Sequence, residues 1–169
     1  MALPKTPTFR LDGKTALITG ASSGIGRAAA VALAEAGAHV TVAARRADAL
    51  DQLVGELQDA GHSARAQVMD VANIPETQQL VSELGPFDIL LNSAGLARHS
   101  PAVDTNEPDF DAVANLNVKG AYFLAQAVAK AFIAAGRNRS LPHSSYQLVH
   151  FCRPDRTVYS APINDGEGL

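Results

Sequence analysis

The chain has 169 residues, 47% of them hydrophobic and 18% charged, and its formal net charge is −3. These values are typical of one soluble globular domain, and they exclude a disordered chain and the basic surface of a nucleic-acid-binding protein. No apolar run approaches the roughly 18 residues of a membrane-spanning helix, and the N-terminal residues lack the apolar core of a signal peptide. We therefore expect a cytoplasmic protein, and we expect no metal site, because the five histidines and one cysteine show no metal-ligand spacing.

Strands and helices alternate along most of the chain. Residues 1–10 are predicted to form a flexible leader and residues 11–169 a single domain. Short apolar runs predict strands at 14–20, 39–44, 64–71 and 87–95. Helical patterns predict helices at 25–37, which ends at Gly37, and at 47–61, 74–84 and 107–135. Strands that are apolar on both faces and alternate with helices predict an α/β fold with a doubly wound, Rossmann-type parallel sheet.

The segment 140–169 is atypical of that pattern. It contains one candidate strand, Tyr146–Phe151, but Pro142 lies where that strand would begin. The last residues include Pro162, Gly166 and Gly168, which disfavour a helix. We therefore expect the sheet to be incomplete at its C-terminal edge.

A glycine-rich turn with the sequence TGASSGIG follows the first predicted strand. Glycine at 20 permits a tight turn, glycine at 24 lets backbone approach a ligand, and glycine at 26 lets the helix pack near the strand. Amide groups at the helix start favour a phosphate. The predicted phosphate-binding residues are Gly20, Ser22, Ser23, Gly24, Ile25 and Gly26. An NTP-binding loop would need Gly-Lys-Ser/Thr in place of Gly-Ile-Gly, whereas a turn that holds no ligand stays open as the alternative.

Three motifs in order carry a family resemblance. They are TGxxxGIG, NSAG (Asn92–Gly95) and NVKG (Asn117–Gly120). Together they resemble the short-chain dehydrogenase/reductase family over roughly residues 11–161. The resemblance implies a nicotinamide cofactor and hydride transfer to or from the carbonyl or alcohol carbon of a small molecule, whose identity stays open.

The end of the second predicted strand bears on the cofactor. An acidic residue there would bind the ribose hydroxyls of NAD, but the chain has Ala44 followed by Arg45 and Arg46. Guanidinium groups suit a phosphate, so NADP(H) is favoured and NAD(H) stays open. Two merely solvated arginines are the alternative interpretation.

Two further strand ends are cofactor sites by resemblance. Asp70 and Val71 resemble the pair that lies against the adenine, although Asp70 could equally begin the next helix. Asn92, Ala94 and Gly95 resemble the residues that border the ribose of the cofactor. A plain strand-ending turn is the alternative for those three.

The family's catalytic residues are an asparagine, a serine, a tyrosine and a lysine. Asn117 and Tyr159 match by resemblance, and a one-residue slip in register makes Ser145 the serine. The lysine position holds Ile163, so no ammonium assists the tyrosine, and lost proton transfer costs about a hundredfold to ten-thousandfold in rate. The sequence thus predicts an impaired oxidoreductase or, alternatively, a non-catalytic dinucleotide-binding protein.

The predicted helix 107–135 is apolar enough to pack against another subunit. A homo-oligomer through this helix is therefore one prediction. Burial of the same helix against the sheet is the other, and neither interpretation is excluded by the sequence.

Overall fold

The computed structural model of the chain describes residues 10–136. Most of the predicted leader and the atypical segment lie outside this range. Ser145, Tyr159 and Ile163 therefore also lie outside the described residues.

Four parallel strands and five α-helices alternate within the described range. The strands are β1 (Thr15–Thr19), β2 (His39–Ala44), β3 (Ala64–Val68) and β4 (Ile89–Asn92). The helices are α1 (Gly24–Glu35), α2 (Ala47–Asp59), α3 (Ile74–Leu84), α4 (Glu107–Ala114) and α5 (Ala121–Ala134). The strand order is β3-β2-β1-β4, so the chain crosses back over β1 between β3 and β4. This order confirms the predicted Rossmann-type sheet.

Helices cover both faces of the sheet. Ala16 and Ile18 of β1 belong to a core shared with α1 and α2, whereas Leu17 between them belongs to a second core with α3 and α5. Successive side chains of a strand point to opposite faces, so a strand buried on both faces must be apolar throughout. The doubly wound prediction is therefore confirmed on both sides.

The first helix ends at the predicted glycine. Gly37 has φ of 103°, its amide donates to the carbonyl of Ala34, and the Ala38 amide donates to that of Leu33. These two bonds form a Schellman motif, which favours glycine because of the positive φ. The turn returns the chain directly to β2.

The long helix predicted at 107–135 is confirmed in extent, because the chain is helical from Glu107 to Ala134. A π-helical turn, Asn115–Gly120, lies within it between α4 and α5. At its end Gly120 is buried, and a Cβ added there would lie 2.7 Å from the carbonyl oxygen of Val71. The helix therefore meets the β3–α3 turn at a point where only glycine fits, a contact that helical periodicity does not reveal.

Strands β3 and β4 end earlier than predicted. β3 ends at Val68 because the chain turns at Asp70, whose Oδ1 accepts the Ala72 amide at 3.0 Å. β4 ends at Asn92, where the next residues leave the sheet and border a cavity.

Candidate functional site

A cavity of about 690 Å³ lies at the carboxyl ends of the strands. It is lined from the turns after all four strands. In a doubly wound sheet, the connections on either side of the crossover leave towards opposite faces and open a crevice there. Here that crevice lies between β1 and β4, and its volume is typical of ligand-binding pockets.

The glycines of the β1–α1 turn meet three different constraints. Gly20 has φ of 66°, and a Cβ there would lie 2.5 Å from the backbone of Ser93. A Cβ at Gly26 would lie 2.7 Å from the carbonyl carbon of Gly20. Gly24 has φ of 56° and open space around it. The turn is therefore held close to β4 and to its own helix, while its tip stays accessible.

The start of α1 presents amide donors beside the cavity. Ser22, Ser23 and Ile25 line it, and Ser23 is the N-cap residue. The Ser23 side chain makes no cap hydrogen bond to the first turn of α1. The first amides of a helix have no partner within the helix, so a site of this kind favours an anion.

Two arginines line the same cavity from the end of β2. Arg45 and Arg46 follow Ala44, and the Arg46 Nη2 donates to the Oγ of Ser22 at 3.2 Å. This bond joins the β2–α2 turn to the glycine-rich turn. The cavity wall therefore combines two guanidinium groups with the start of α1. The residues directly after β2 are these two arginines and not a carboxylate.

The β3 end contributes Asp70 and Val71, both of which line the cavity. Asn73 is the N-cap residue of α3, where its side chain accepts the Glu76 amide. The alternative in which Asp70 begins that helix is therefore wrong. The Asp70 carboxylate bonds within its own turn and keeps that turn at the cavity wall.

Of the residues at the end of β4, some line the cavity and others hold its wall in place. Ala94 and Gly95 line the cavity, whereas Asn92 does not. The Asn92 Oδ1 accepts the Thr19 hydroxyl at 2.5 Å and the Ala94 amide at 3.3 Å. Asn92 therefore ties the ends of β1 and β4 together where the crevice opens.

Asn117 holds the loop that follows β4. Its Oδ1 accepts the Leu96 amide and its Nδ2 donates to the Leu96 carbonyl, both at 2.9 Å. Asn117 does not itself line the cavity, although its neighbour Leu116 does. The Asn117 side chain therefore pairs both the amide and the carbonyl of Leu96. The catalytic role predicted for Asn117 stays a prediction.

The comparison with known proteins identifies the family. The family described as short chain dehydrogenase matches residues 14–161. This chain belongs to the short-chain dehydrogenase family. The match covers most of the chain and includes the three motifs that carried the resemblance.

Two relatives of the short-chain dehydrogenase family illustrate the similarity. The chain is 36% identical to gluconate 5-dehydrogenase of Gluconobacter oxydans over 157 residues, which are 90% of this chain and 61% of the relative. It is also 36% identical to 2-keto-3-deoxy-L-fuconate dehydrogenase of Xanthomonas campestris, over 94% of this chain and 52% of the relative. The chain therefore spans between about half and three fifths of the lengths of these curated relatives.

Solved structures share the fold. The gluconate 5-dehydrogenase of Burkholderia cenocepacia, in complex with NADP and tartrate, has a TM-score of 0.84 at 34% identity, covering 92% of this chain and 62% of that one. A short-chain type dehydrogenase/reductase from Mycobacterium marinum also has a TM-score of 0.84, at 33% identity, covering 92% of this chain and 66% of that one. The Rossmann-type fold is thus shared over nearly all of this chain.

Several residues that line the cavity were not predicted from the sequence. The additional lining residues include Thr19, Ala43, Met69, Ser93, Ala97 and Leu116. Most of them lie within two residues of a predicted site residue, so their position at the strand ends could have indicated them. Leu116 comes from the π-helical turn and directly precedes Asn117 of the third motif. Gly24 and Gly26 were predicted to bind but do not line the cavity.

Residues 10–136 contain no group of three or more His, Cys, Asp or Glu side chains that could hold a metal ion. No helix in the same range has the length and apolar character needed to cross a bilayer.

Proposed function

We propose that this chain binds NADP(H) and acts in hydride transfer between that cofactor and the carbonyl or alcohol group of a small molecule. The observation that carries the proposal is the cavity at the carboxyl ends of the strands, which joins two arginines, an accessible helix start and a wall of small residues. A bound nicotinamide ring would supply or accept the hydride. The family and the NADP complex of the Burkholderia structure support the choice of cofactor.

The arginines fit the adenosine end of the cofactor. Arg45 and Arg46 lie at the end of β2, where a dinucleotide places its adenosine ribose. A 2′-phosphate would find guanidinium donors there, and Arg46 is already oriented by Ser22. Asp70 and Val71 line the neighbouring wall, which fits their proposed place against the adenine.

The glycine-rich turn fits the pyrophosphate. Gly24 leaves open space where a side chain would stand, and Ser22 and Ser23 add hydroxyl donors at the cavity. The amides at the start of α1 would then bind phosphate oxygens, assisted by the helix dipole. Gly20 keeps this turn against Ser93, so the two halves of the site stay together.

The β4 side fits the nicotinamide ribose. Ala94 and Gly95 are small enough to let backbone approach a sugar, and Asn92 and Asn117 hold their loop in place. Proton transfer to the substrate oxygen is assigned to Tyr159, with Ser145 and Asn117 as its partners. These catalytic roles rest on the family resemblance.

The substrate proposed is a small hydroxylated molecule. Relatives of this chain are named for gluconate, 2-keto-3-deoxy-L-fuconate, D-threitol and sorbitol. All four compounds are small sugar acids or polyols that carry at least two hydroxyl groups. This shared chemistry supports a polyol or sugar acid for this chain.

A second candidate function is cofactor binding without turnover. The observation that favours it is Ile163, an apolar residue at the position of the family's lysine. Without an ammonium to favour the phenolate, proton transfer by Tyr159 loses much of its driving force. NAD(H) as the cofactor and a cytoplasmic location remain further predictions.

A homo-oligomer through residues 107–135 is also proposed. Leu124 and Val128 are buried in the core beside α3, as the burial alternative predicted. On the other side, Phe110, Tyr122 and Ile133 are 49%, 44% and 77% exposed. Exposed large apolar side chains on one helical segment support a contact with another subunit.

The experiment that tests the function is a parallel titration with NADPH and NADH. We expect NADPH to bind more tightly, and Arg46→Ala to weaken NADPH by at least about tenfold while NADH changes little, because one charge-assisted phosphate contact is lost. Arg27→Ala is the matched control, since it removes an equal charge from a residue that does not line the cavity. Equal weakening of both cofactors would contradict the 2′-phosphate assignment.

Turnover separates the two candidate functions. The wild type and Ile163→Lys should be compared with NADP⁺ and a panel of polyols and sugar acids. A gain of about a hundredfold or more in Ile163→Lys supports an impaired enzyme. Tight cofactor binding with no turnover in either protein would support the non-catalytic candidate instead.

A further inference from the structure

The loop between β4 and α4 is tied down at alternate residues. Leu96 is held by both polar atoms of Asn117 at 2.9 Å. Two residues later, the Nε of Arg98 lies 3.5 Å from Oδ1 of Asp109 on α4. The loop is therefore anchored to the π-helical turn and to α4.

Ser100, two residues after Arg98, is also hydrogen-bonded. The Oγ of Ser100 lies 3.0 Å from the Oγ1 of Thr105, and the same Thr105 hydroxyl donates to the Pro101 carbonyl at 3.2 Å. Residues 96, 98 and 100 thus each make a contact through a backbone or side-chain polar group, and residues 97 and 99 lie between them.

The intervening residues, Ala97 and His99, both line the cavity. The β4 side of the cavity is otherwise formed by Ser93, Ala94, Gly95 and Leu116. Among the described residues on this side, only Ser93 and His99 offer a side chain that forms hydrogen bonds. His99 thus places an exposed imidazole on a cavity wall that is otherwise made of small and apolar residues and Ser93.

The sheet order locates His99 relative to the cofactor. Arg45 and Arg46 follow β2, and β4 lies two strands further along the sheet, about 10 Å away at the usual strand spacing. A dinucleotide bound across the switch point runs in that direction, from its adenosine half to its nicotinamide half. His99 belongs to the loop after β4 and therefore lies at the end where substrate meets the nicotinamide.

We propose that His99 is a specificity-determining residue, which hydrogen-bonds an oxygen of a substrate that carries a hydroxyl or carboxylate group beside the reacting carbon. This inference rests on the proposed function and extends it. An imidazole offers both a donor and an acceptor to such an oxygen. An apolar substrate would make no bond of this kind, so the contribution of His99 should be confined to substrates that carry an oxygen beside the reacting carbon.

The test uses the whole chain saturated with NADP⁺ and titrated with D-gluconate by calorimetry. We expect His99→Ala to weaken gluconate binding about fivefold to tenfold, the effect of losing one hydrogen bond. The NADP⁺ affinity should stay within about twofold in the same variant, because the cofactor contacts lie elsewhere. His99→Gln retains a donor and an acceptor and should recover most of the gluconate affinity.

Two controls accompany this titration. His62→Ala makes the same chemical change at a histidine that does not line the cavity, and it should leave both affinities unchanged. Cyclohexanol, an alcohol without neighbouring oxygens, should bind no more weakly to His99→Ala than to the wild type.

The outcomes separate this inference from the proposed function. Unchanged gluconate affinity in His99→Ala, or an equal loss of NADP⁺ and gluconate affinity, would overturn the role of His99 alone. A loaded wild type that binds cyclohexanol but not gluconate would overturn the substrate class. A wild type that binds no NADP⁺ would overturn the proposed function, and this inference with it.

Discussion

Replacing Asn117 by alanine tests whether this side chain shapes the cofactor site. Asn117→Ala removes both hydrogen bonds to the backbone of Leu96, each 2.9 Å long. The Leu96 amide and carbonyl are then left without their partners beside the cavity. We expect a less stable protein with a more mobile loop after β4.

The magnitude follows from the two bonds. Each neutral hydrogen bond contributes about 1 kcal/mol, and alanine regains roughly 0.6 kcal/mol because asparagine is the poorer helix former. The net loss in the free energy of unfolding is therefore about 1.5 kcal/mol, or roughly 3–6 °C in melting temperature. Reordering the loop on binding should weaken NADPH about threefold to tenfold.

The assay combines urea denaturation with an NADPH titration for three variants. Asn115→Ala is the matched control, because Asn115 lies in the same π-helical turn but is exposed. It should gain a few tenths of a kcal/mol or change little. Asn117→Asp keeps the acceptor for the Leu96 amide but places a charged oxygen, instead of a donor, against the Leu96 carbonyl, so it should be at least as unstable as Asn117→Ala.

One result would refute this reasoning. If Asn117→Ala and Asn115→Ala have the same free energy of unfolding, the two bonds to Leu96 contribute nothing measurable. A large loss of turnover with unchanged stability and NADPH affinity would instead assign Asn117 to catalysis directly.

Two further predictions concern Gly120 and His39. Gly120→Ala places a Cβ 2.7 Å from the carbonyl oxygen of Val71. We expect this variant to lose about 1–3 kcal/mol in the free energy of unfolding, measured by urea denaturation, and to bind NADPH more weakly. Gly55→Ala is the control, because a Cβ there meets open space, and it should stabilise the protein by about 1 kcal/mol. Burial and the charge of Arg65 lower the pKa of His39, so the unfolded chain binds the extra proton first and His39 lowers stability as the pH falls below about 6.5. In thermal melts between pH 5 and pH 8, the melting temperature of the wild type should fall relative to that of His39→Gln as the pH drops below about 6.5, and a wild type that becomes relatively more stable at low pH would contradict the sign.

Most elements and the chemistry of the strand ends were predictable from the sequence alone. β2 and α3 have the predicted bounds, 39–44 and 74–84, because apolar runs and helical spacing act over a few neighbouring residues. The reasons given for Gly20 and Gly26 also hold, since each meets backbone in its own βα unit or the adjacent strand. The two arginines after β2 were readable because a parallel sheet gathers all its carboxyl ends at one edge.

Which of these residues form the wall and which support it follows from contacts between segments that are distant in the chain. The Asn92 side chain accepts the Thr19 hydroxyl on the neighbouring strand, and the Asn117 side chain binds backbone 21 residues away, while Leu116 reaches the cavity from the π-helical turn. The π-helical turn arises where α5 meets the carbonyl of Val71, 49 residues earlier than Gly120. Such contacts join segments that are distant in the chain, and local periodicity carries no record of them because the packing of the whole sheet brings them together.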